Sequence, residues 1–486
     1  MILLVDEVKL KKLEKLRELG IDPYPYSYDK TDNAFDIKRD YAKYEGKIVS
    51  IAGRLMRLRE MGKLRFLNIL DGTSDIQVLF KNDIATKISA DILNLSDIGD
   101  ILGISGKVIK SNRGEISIEA TQVTMLSKTL RTLPEKFHGL TDIELRYRKR
   151  YLDLMMNQDV RKTFWARTNF VDHIRSFLNQ RGYMEVETPI LQPTYGGANA
   201  KPFTTHHNDL DADMYLRIAN ELYLKRLVIG GIERVYEFSK DFRNESIDST
   251  HNPEFTQIEI YEAYRDYQDF AKMTEEILSS FAKKISGGYE LEYQGRKINF
   301  APEFERVYMV DAIKKACGVD ISTMTDDDAL EVSKREKLDV AVKNAYHVSD
   351  ALFDKYIKPG LQNPTFVMDF PAYMCPLTKD KRGNKKLSER FELYVAGYEV
   401  SNCYSELTDP VEQRKKFEEQ LEERKKGDDE MPPIDYDFLE AIEYGMPPMA
   451  GIGISIDRLV MIFTNNVSIK ETILFPAVRP EKAPLE

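Results

Sequence analysis

The sequence predicts an α+β protein in which a small β barrel precedes a larger region of strands flanked by helices. Two patterns carry that prediction. Residues 47–126 break into short β-type runs separated by turn residues, with a helix-like piece among them. From about residue 166 onward, helical stretches alternate with strands in which polar and apolar residues take turns. A chain of 486 residues is long enough for two or three domains, each with its own core.

Residues 6–19 read as a helix, with Val8, Leu10, Leu13, Leu16 and Leu19 at helical spacing and Gly20 and Pro23 closing it. Its polar face holds Lys9, Lys11, Lys12, Lys15 and Arg17. A solvated amphipathic helix and a basic helix facing RNA both fit, and the solvated one is favoured. The barrel strands are expected over Lys47 to Leu55, Leu64 to Leu70, Asp75 to Phe80, Ile101 to Ile109 and Glu115 to Met125. Gly72 and Asn112-Arg113-Gly114 supply turns, and a helix-like piece spans Asn82 to Leu95. Five strands with that interruption predict an oligonucleotide-binding (OB-fold) barrel.

From residue 127 the chain turns polar and carries Arg146-Tyr147-Arg148-Lys149-Arg150. A helix from about Asn169 to Gln180 stops at Arg181-Gly182, and the strand Glu185-Val186-Glu187 follows, cut by Pro189. Helices are expected around 210–230 and 262–285, and a mostly helical stretch over 303–360 that interrupts the sheet. Val411 to Glu430 reads as a charged, solvated helix on the surface.

The net charge of −10 means that the surface as a whole does not attract nucleic acid, so any RNA contact needs a local basic patch or base stacking. Cys317, Cys375 and Cys403 have no paired spacing, which argues against a zinc site or disulfide framework and fits a reducing compartment. No apolar run approaches membrane-spanning length, and Met1-Ile2-Leu3-Leu4-Val5 gives way at once to charge. The expectation is a cytoplasmic protein without a membrane segment.

Three stretches carry chemistry. The first is Phe242-Arg243-Asn244-Glu245 followed by His251-Asn252-Pro253-Glu254-Phe255-Thr256-Gln257-Ile258-Glu259. An arginine held at a strand end can grip a phosphate and a carboxylate together. On the next strand Gln257, Glu259 and Tyr261 share one face while Ile258 and Ile260 share the other, so the polar trio can floor a cavity. Phe255 can stack on a purine or pack in the core, and the surrounding motif favours stacking. The second stretch is Gly451-Ile452-Gly453-Ile454-Ser455-Ile456-Asp457-Arg458, a strand running into a helix with Arg458 in its first turn, where anions are favoured. No Gly-x-x-x-x-Gly-Lys-Ser/Thr occurs, which excludes a P-loop. The third is Arg390-Phe391-Glu392-Leu393-Tyr394, a turn at Ala396-Gly397, and Tyr398-Glu399-Val400-Ser401-Asn402-Cys403-Tyr404-Ser405-Glu406. If Gly397 closes a hairpin, Glu392 and Glu399 converge and can seat Mg²⁺; a surface hairpin with scattered acids gives the same pattern.

In this order the stretches resemble motif 2, motif 3 and the amino-acid-binding strand of class II aminoacyl-tRNA synthetases, and Arg181 to Pro189 resembles motif 1. Phe137-His138-Gly139-Leu140, Thr205-His206-His207-Asn208, Met214 to Ala219, Glu221 to Leu227 and Ile473 to Ala477 resemble the bacterial and eukaryotic class II lysyl-tRNA synthetases, a likeness running from about residue 5 to 481. The resemblance implies a catalytic antiparallel sheet flanked by helices behind an anticodon-reading OB-fold barrel. It divides the chain into an N-terminal helix and lead-in (1–46), the barrel (47–130), a connector (131–165) and a catalytic domain (166–486) with its insertion at about 303–360. It also implies a homodimer joined through the motif 1 helix and strand.

The chemistry implied is attack of the lysine carboxylate on the α-phosphorus of ATP, giving lysyl-adenylate and pyrophosphate. Transfer to the 3′-hydroxyl of the terminal adenosine of tRNA(Lys) follows. Family roles place Arg243 and Arg458 in catalysis and ATP binding, with Glu245, His251, Phe255 and Glu392. Glu392 and Glu399 hold Mg²⁺. Gly197 and Glu221 receive the α-ammonium of L-lysine; Tyr261 and Glu406, with Glu259 and Asn402 nearby, receive the ε-ammonium. In the barrel, Phe66 stacks on and Gln77 hydrogen-bonds anticodon uridines, joined by Glu115. Departures from the usual pattern are Asn220 for proline, Ser246 for glycine, Cys403 for a small residue, and Asn199 and Lys201 for alanine and arginine.

Four alternatives make contrary demands on the sequence. An aspartate or asparagine enzyme would need cations where Glu406 and Tyr261 stand. A protein-lysylating paralogue would lack the barrel, a lysyl-lipid synthase fusion would need membrane helices, and a non-catalytic RNA-binding paralogue would have lost Arg243, Arg458, Glu392 or Glu399.

Overall fold

A computed structural model describes residues 6–62, 64–111, 113–134, 140–425 and 432–480. Asn112, Phe137-His138-Gly139 and the end of the charged run at 426–430 lie outside the described residues. The chain separates into two compact units that part between Thr141 and Asp142.

In the first unit, α1 (Glu7–Glu18) starts at Asp6, whose carboxylate accepts the backbone N–H groups of Val8 and Lys9. Leu13 and Leu16 are buried as expected, but Val8, Leu10 and Leu19 are exposed. The packed face is rotated toward Lys9, whose stem is buried and whose ammonium donates to the Arg131 carbonyl at 2.9 Å. Lys12 pairs with Asp97 at 2.6 Å. These two lysines thus serve contacts within the unit and not a basic face.

The barrel is closed in the order β1-β2-β3-β5-β4, from β1 (Ile48–Met61), β2 (Leu64–Leu70), β3 (Asp75–Lys81), β4 (Ile101–Lys110) and β5 (Ile116–Ser127). Alternate residues such as Val49, Ile51, Leu67, Ile69, Ile76, Val78 and Phe80 fill it. Helix α2 (Lys87–Leu95) sits between β3 and β4 and begins later than expected, because Thr86 caps it by accepting the Ser89 N–H. Strand β1 runs well past Leu55, continuing through an irregularity between Leu55 and Arg57 to pair with the whole of β2.

The second unit opens with short helices, Ile143–Arg148 and Arg150–Met156, inside the stretch expected to be a connector. Arg150 anchors them there: it is fully buried, pairs with Asp153 at 2.7 Å and donates to the carbonyls of Leu474, Lys470 and Ile473. Helix α3 (Gln158–Asn179) is longer than predicted and buries Phe170, Ile174 and Leu178 at four-residue spacing. An eight-stranded sheet forms the centre, in the order β9-β10-β11-β12-β13-β8-β7-β6. These strands are β6 (Met184–Glu185), β7 (Arg234–Phe242), β8 (Glu254–Ala263), β9 (Glu305–Tyr308), β10 (Thr365–Met368), β11 (Arg390–Val395), β12 (Tyr398–Ser405) and β13 (Met449–Ser455). The five interior pairings are antiparallel, while the edge strands β6 and β9 pair parallel with their neighbours.

Several boundaries differ from expectation. The helix around 210–230 is α4 (Glu221–Ile229) alone, preceded by a strand over Ala212–Leu216. Helix α5 (Tyr267–Ser286) starts after β8 ends, at an Asp266 capping box. The 303–360 insertion is mostly helical, including α6 (Ala345–Tyr356), but it begins with β9 and so adds an edge to the sheet. Helix α7 (Pro410–Lys425) is not wholly solvated, since Gln413 and Phe417 are buried, and the Phe417 ring lies 6.3 Å from that of Phe438 on α8 (Tyr436–Glu443). Helix α9 (Ile456–Phe463) follows β13 with no loop, and Ser455 caps it by accepting the Arg458 N–H.

Candidate active site

The site is built on rungs that cross four adjacent strands. Glu392 on β11 faces Asn402 on β12, which faces Gly453 on β13, which faces Glu259 on β8. Two residues away, Arg390, Tyr404, Gly451 and Tyr261 form a second rung. Residues two apart on a strand share a face, so all eight belong to one side of the sheet. Ile258, Ile260, Ile452 and Ile454 lie on the other side, fully in the core.

The two glycines in the middle make the depression. A Cβ on Gly451 would lie 2.1 Å from the Tyr261 ring and 2.5 Å from Glu406 Oε1, and one on Gly453 would lie 2.7 Å from Glu259 Oε1. A cavity of about 710 Å³ opens over these rungs. Gly197, Glu221, Arg243, Glu245, His251, Phe255, Glu259, Tyr261, Glu392, Glu399, Asn402 and Arg458 all line it, so the sequence-predicted ATP, metal and nearly all lysine residues come together. Glu406 is the exception: it has no exposed surface and lies behind Gly451.

At the cationic part of the wall, Arg243 follows β7 and its N–H donates to the Pro253 carbonyl at 2.9 Å. Its guanidinium carbon sits 5.0 Å from the centre of the Phe255 ring. Its Nε is buried and has no hydrogen-bond partner among the described residues. A buried guanidinium N–H left open is a vacancy for an anionic oxygen. Arg458, in the first turn of α9, donates to the Glu399 carbonyl at 2.7 Å and stands 3.4 Å from His251 Nε2. His251 is oriented by Asp248 at 2.8 Å, and that contact holds the Asp248 carboxyl well below the usual range despite its partial burial. Glu245 is exposed on the loop beside it.

The acidic part is buried. Tyr261 donates to Glu259 Oε2 at 3.0 Å and Gln257 donates to Oε1 at 3.1 Å. Burial lifts the Glu259 carboxyl well above the usual range, and the charges of Glu221 and Asp241 add to the push. Glu221 lies in the first turn of α4, against Gly197, whose φ of +84° lets the backbone pass 3.1 Å from the Glu221 Cβ, measured at the glycine's would-be Cβ.

Glu392 is buried, accepts from Tyr394 at 2.8 Å and pairs with Arg390 at 2.5 Å. Burial raises its carboxyl, Arg390 pulls it down, and Glu399 pushes it up. Two glutamates lining one cavity, with the charge of Glu399 opposing ionisation of Glu392, fit a divalent cation. Among the described residues no group of three or more His, Cys, Asp or Glu side chains is arranged to hold a metal, so such a cation would need further oxygens from a ligand.

Sequence reasoning missed Arg390 and Lys225. Arg390 donates to Asn402 at 3.0 Å and stacks over Phe370 at 4.4 Å, tying the two strands of the hairpin together. Its signal was the alternation Arg390, Glu392, Tyr394 on one strand face. Lys225 sits four residues after Glu221 on α4 and pairs with it. Of the departures, Asn220 adopts a φ of −105°, outside the range of a proline, and donates to Glu237 at 2.7 Å. Cys403 is fully buried and burial raises its thiol, which fits the inert reading.

In the barrel, Phe66 on β2 is half-buried, and Gln77 on β3 pairs with Asn68 and donates to Ser117 at 2.9 Å. Glu115 is exposed just before β5. Arg59 and Arg57 on β1 face Phe66 and Asn68 and are exposed, which adds two cations to the same face. They were missed because the strand was expected to end at Leu55.

The family described as tRNA synthetases class II (D, K and N) matches residues 142–479, and the OB-fold nucleic acid binding domain matches residues 49–126. The chain is 47% identical over 479 residues to a lysine–tRNA ligase of Thermoanaerobacter pseudethanolicus, covering 98% of this chain and 96% of that one. It is 48% identical to a lysine–tRNA ligase of Clostridium novyi (98% and 94% covered) and 46% identical to one of Carboxydothermus hydrogenoformans (98% of each). Matched by that family over residues 142–479 and 46–48% identical to these lysine–tRNA ligases over nearly its whole length, the chain belongs to the class II tRNA synthetases (D, K and N).

Proposed function

We propose that this chain is a lysine–tRNA ligase, which activates L-lysine with ATP and transfers it to the 3′-hydroxyl of the terminal adenosine of tRNA(Lys). The observation that carries this reading is one cavity lined both by Arg243, with its unpartnered buried Nε, and by the buried acids Glu221 and Glu259. A ligand with a carboxylate and ammonium groups answers both. An aspartate or asparagine side chain would meet the acidic wall and be repelled or unpaired.

In the first step, one oxygen of the lysine carboxylate forms a bond to the α-phosphorus while the bond to pyrophosphate breaks. Arg243 would bridge the carboxylate and the α-phosphate, and Arg458 with His251 would hold the far phosphates. Phe255 would stack on the adenine, with Glu245 at its edge. No enzyme nucleophile is needed, since positioning and charge neutralisation lower the barrier. Mg²⁺ brought with ATP would neutralise phosphate charge when bound, held by Glu392 and Glu399. In the second step the ribose hydroxyl takes the lysyl group and AMP leaves.

Tyr261, Glu259, Asn402 and Glu406 would serve the ε-ammonium, and Glu221 with the Gly197 backbone the α-ammonium. Phe66, Gln77 and Glu115 would read the splayed anticodon, with Arg57 and Arg59 near its phosphates. We further propose a homodimer in the cytoplasm. The exposed Trp165 on α3, Met184 on the short edge strand β6, and Ile190 and Leu191 beyond it support the dimer. Among the described residues no helix is long and apolar enough to cross a membrane, and all three cysteines are free.

The test is pyrophosphate–ATP exchange by the purified full-length protein, without tRNA, against a panel of amino acids. Lysine-dependent exchange is expected; exchange with aspartate or asparagine in its place overturns the reading.

A further inference from the structure

Lys225 stands in the acidic wall without serving either ammonium of the ligand. Its side chain is about 1% exposed, and its ammonium lies between two carboxylates. It hydrogen-bonds Glu221, one turn earlier on α4, and stands 2.5 Å from Glu406 Oε2, just past β12. The rings of Tyr404 and Phe438 flank it at 5.4 and 5.9 Å.

Glu406 depends on it. Neither Glu406 oxygen accepts a hydrogen bond of good geometry from the described residues, and the side chain has no exposed surface. A carboxylate in that setting is costly without a paired charge, and Lys225 supplies it. The other oxygen, Oε1, lies under Gly451, at the spot where any larger residue would put its Cβ, and Gly451 lines the cavity. Lys225 therefore holds Glu406 by one oxygen, while the second lies against Gly451 in space it shares with the Tyr261 ring. Burial works against the Lys225 charge, but Glu221 and Glu406 outweigh it and keep the ammonium protonated.

Glu221, Glu259 and Glu406 bring three carboxyl groups to this wall against the one ammonium of Lys225. Burial raises Glu259 and Glu406, the latter against the pull of Lys225, so further cations are what these groups need in order to ionise. We propose that Lys225 is a positioning residue for amino-acid selection: a resident ammonium that fixes the Glu221 and Glu406 carboxyl groups and leaves an acidic wall completed by a ligand with two ammonium groups. The inference rests on the lysine–tRNA ligase reading and extends it to a residue that does not touch the ligand.

The experiment is steady-state exchange on full-length wild type, Lys225→Met, Glu406→Gln and the double variant. Lys225→Met is expected to raise KM for lysine at least about tenfold and KM for ATP by less than about twofold. It should also make lysine KM fall more steeply with rising pH than in wild type, because the freed carboxylates share a proton. Glu259 and Tyr261 on β8, Tyr404 on β12, and Lys379 face the Glu221–Glu406 pair. In the Glu406→Gln background, Lys225→Met should add clearly less than its tenfold effect in wild type, since one of its two carboxylate partners is gone. Equal rises in both KM values, or a full tenfold loss added to Glu406→Gln, overturns the proposal. If Lys225→Met alone does not fold, the double variant compared with Glu406→Gln decides by the same criterion, since it removes the ammonium together with one of its two partners. A wild type that exchanges only with another amino acid overturns the ligase reading and this inference together; a wild type active with lysine whose variants behave additively overturns this inference alone.

Discussion

Asp241, behind the site on β7, is buried with no exposed surface, and its Oδ1 has the charge of Arg217 at 3.2 Å but no hydrogen bond. Burial raises its carboxyl from 3.8 to about 6, against the pull of Arg217 and of Ser239. A folded-state value above the unfolded one means that stability is fully present below pH 3.8 and is lost as pH rises through about 6. The displacement corresponds to ~3 kcal/mol. Asp241→Asn should remove that loss: urea unfolding at pH 4 and pH 7 should show a smaller fall in stability for the variant than for wild type. At this scale the sequence was legible where chemistry follows residue type, as with Arg243, Glu259 and Tyr261. It was not legible for Lys225 and Arg390, because a cation spent inside a buried network has the same local signature as a solvated one.

The hairpin β11–β12 places Glu392 and Glu399 in one cavity through a two-residue turn. Ala396 and Gly397 both have positive φ, +53° and +80°, as a turn matched to the twist of its strands requires. Gly397→Ala forces a side chain into the left-handed region at ~1–2 kcal/mol. It is expected to lower the thermal midpoint and to raise the Mg²⁺ concentration for half-maximal exchange; an unchanged Mg²⁺ requirement would separate the turn from the glutamates' spacing. The turn was readable in advance from Ala396-Gly397 between alternating strands. The long β1, the capped start of α2 and the strand at Ala212–Leu216 were not, since each boundary is set by tertiary pairing or a cap and not by propensity. The packed face of α1 was misjudged for a related reason: a lysine stem such as that of Lys9 can replace an apolar side chain in the contact.

For the molecule as a whole, the first barrel and the central sheet were both foreseeable from periodicity, while the helices before α3 were hidden by their polar composition. Arg150 is fully buried among backbone carbonyls, and no pattern of apolar spacing marks such an anchor. The proposed dimer is supported by what the second unit leaves uncovered. Trp165 is 67% exposed on α3, and β6 leaves one edge of an eight-stranded sheet only two residues long. Light scattering of the full-length protein should report a mass twice that of one chain, and Trp165→Glu should yield a monomer with exchange activity reduced at least about tenfold. A monomeric wild type with full activity would exclude the dimer.

The cavity has two kinds of wall. Glu259, Tyr261, Asn402 and the two glycines belong to central strands, whereas Asn244 to Ser249 form an exposed loop between β7 and β8. On the proposed assignment, lysine would meet a template already fixed by strand pairing, and the nucleotide would also meet a loop whose ordering costs entropy. Stiffness would then guard amino-acid choice, while ATP capture would stay adaptable.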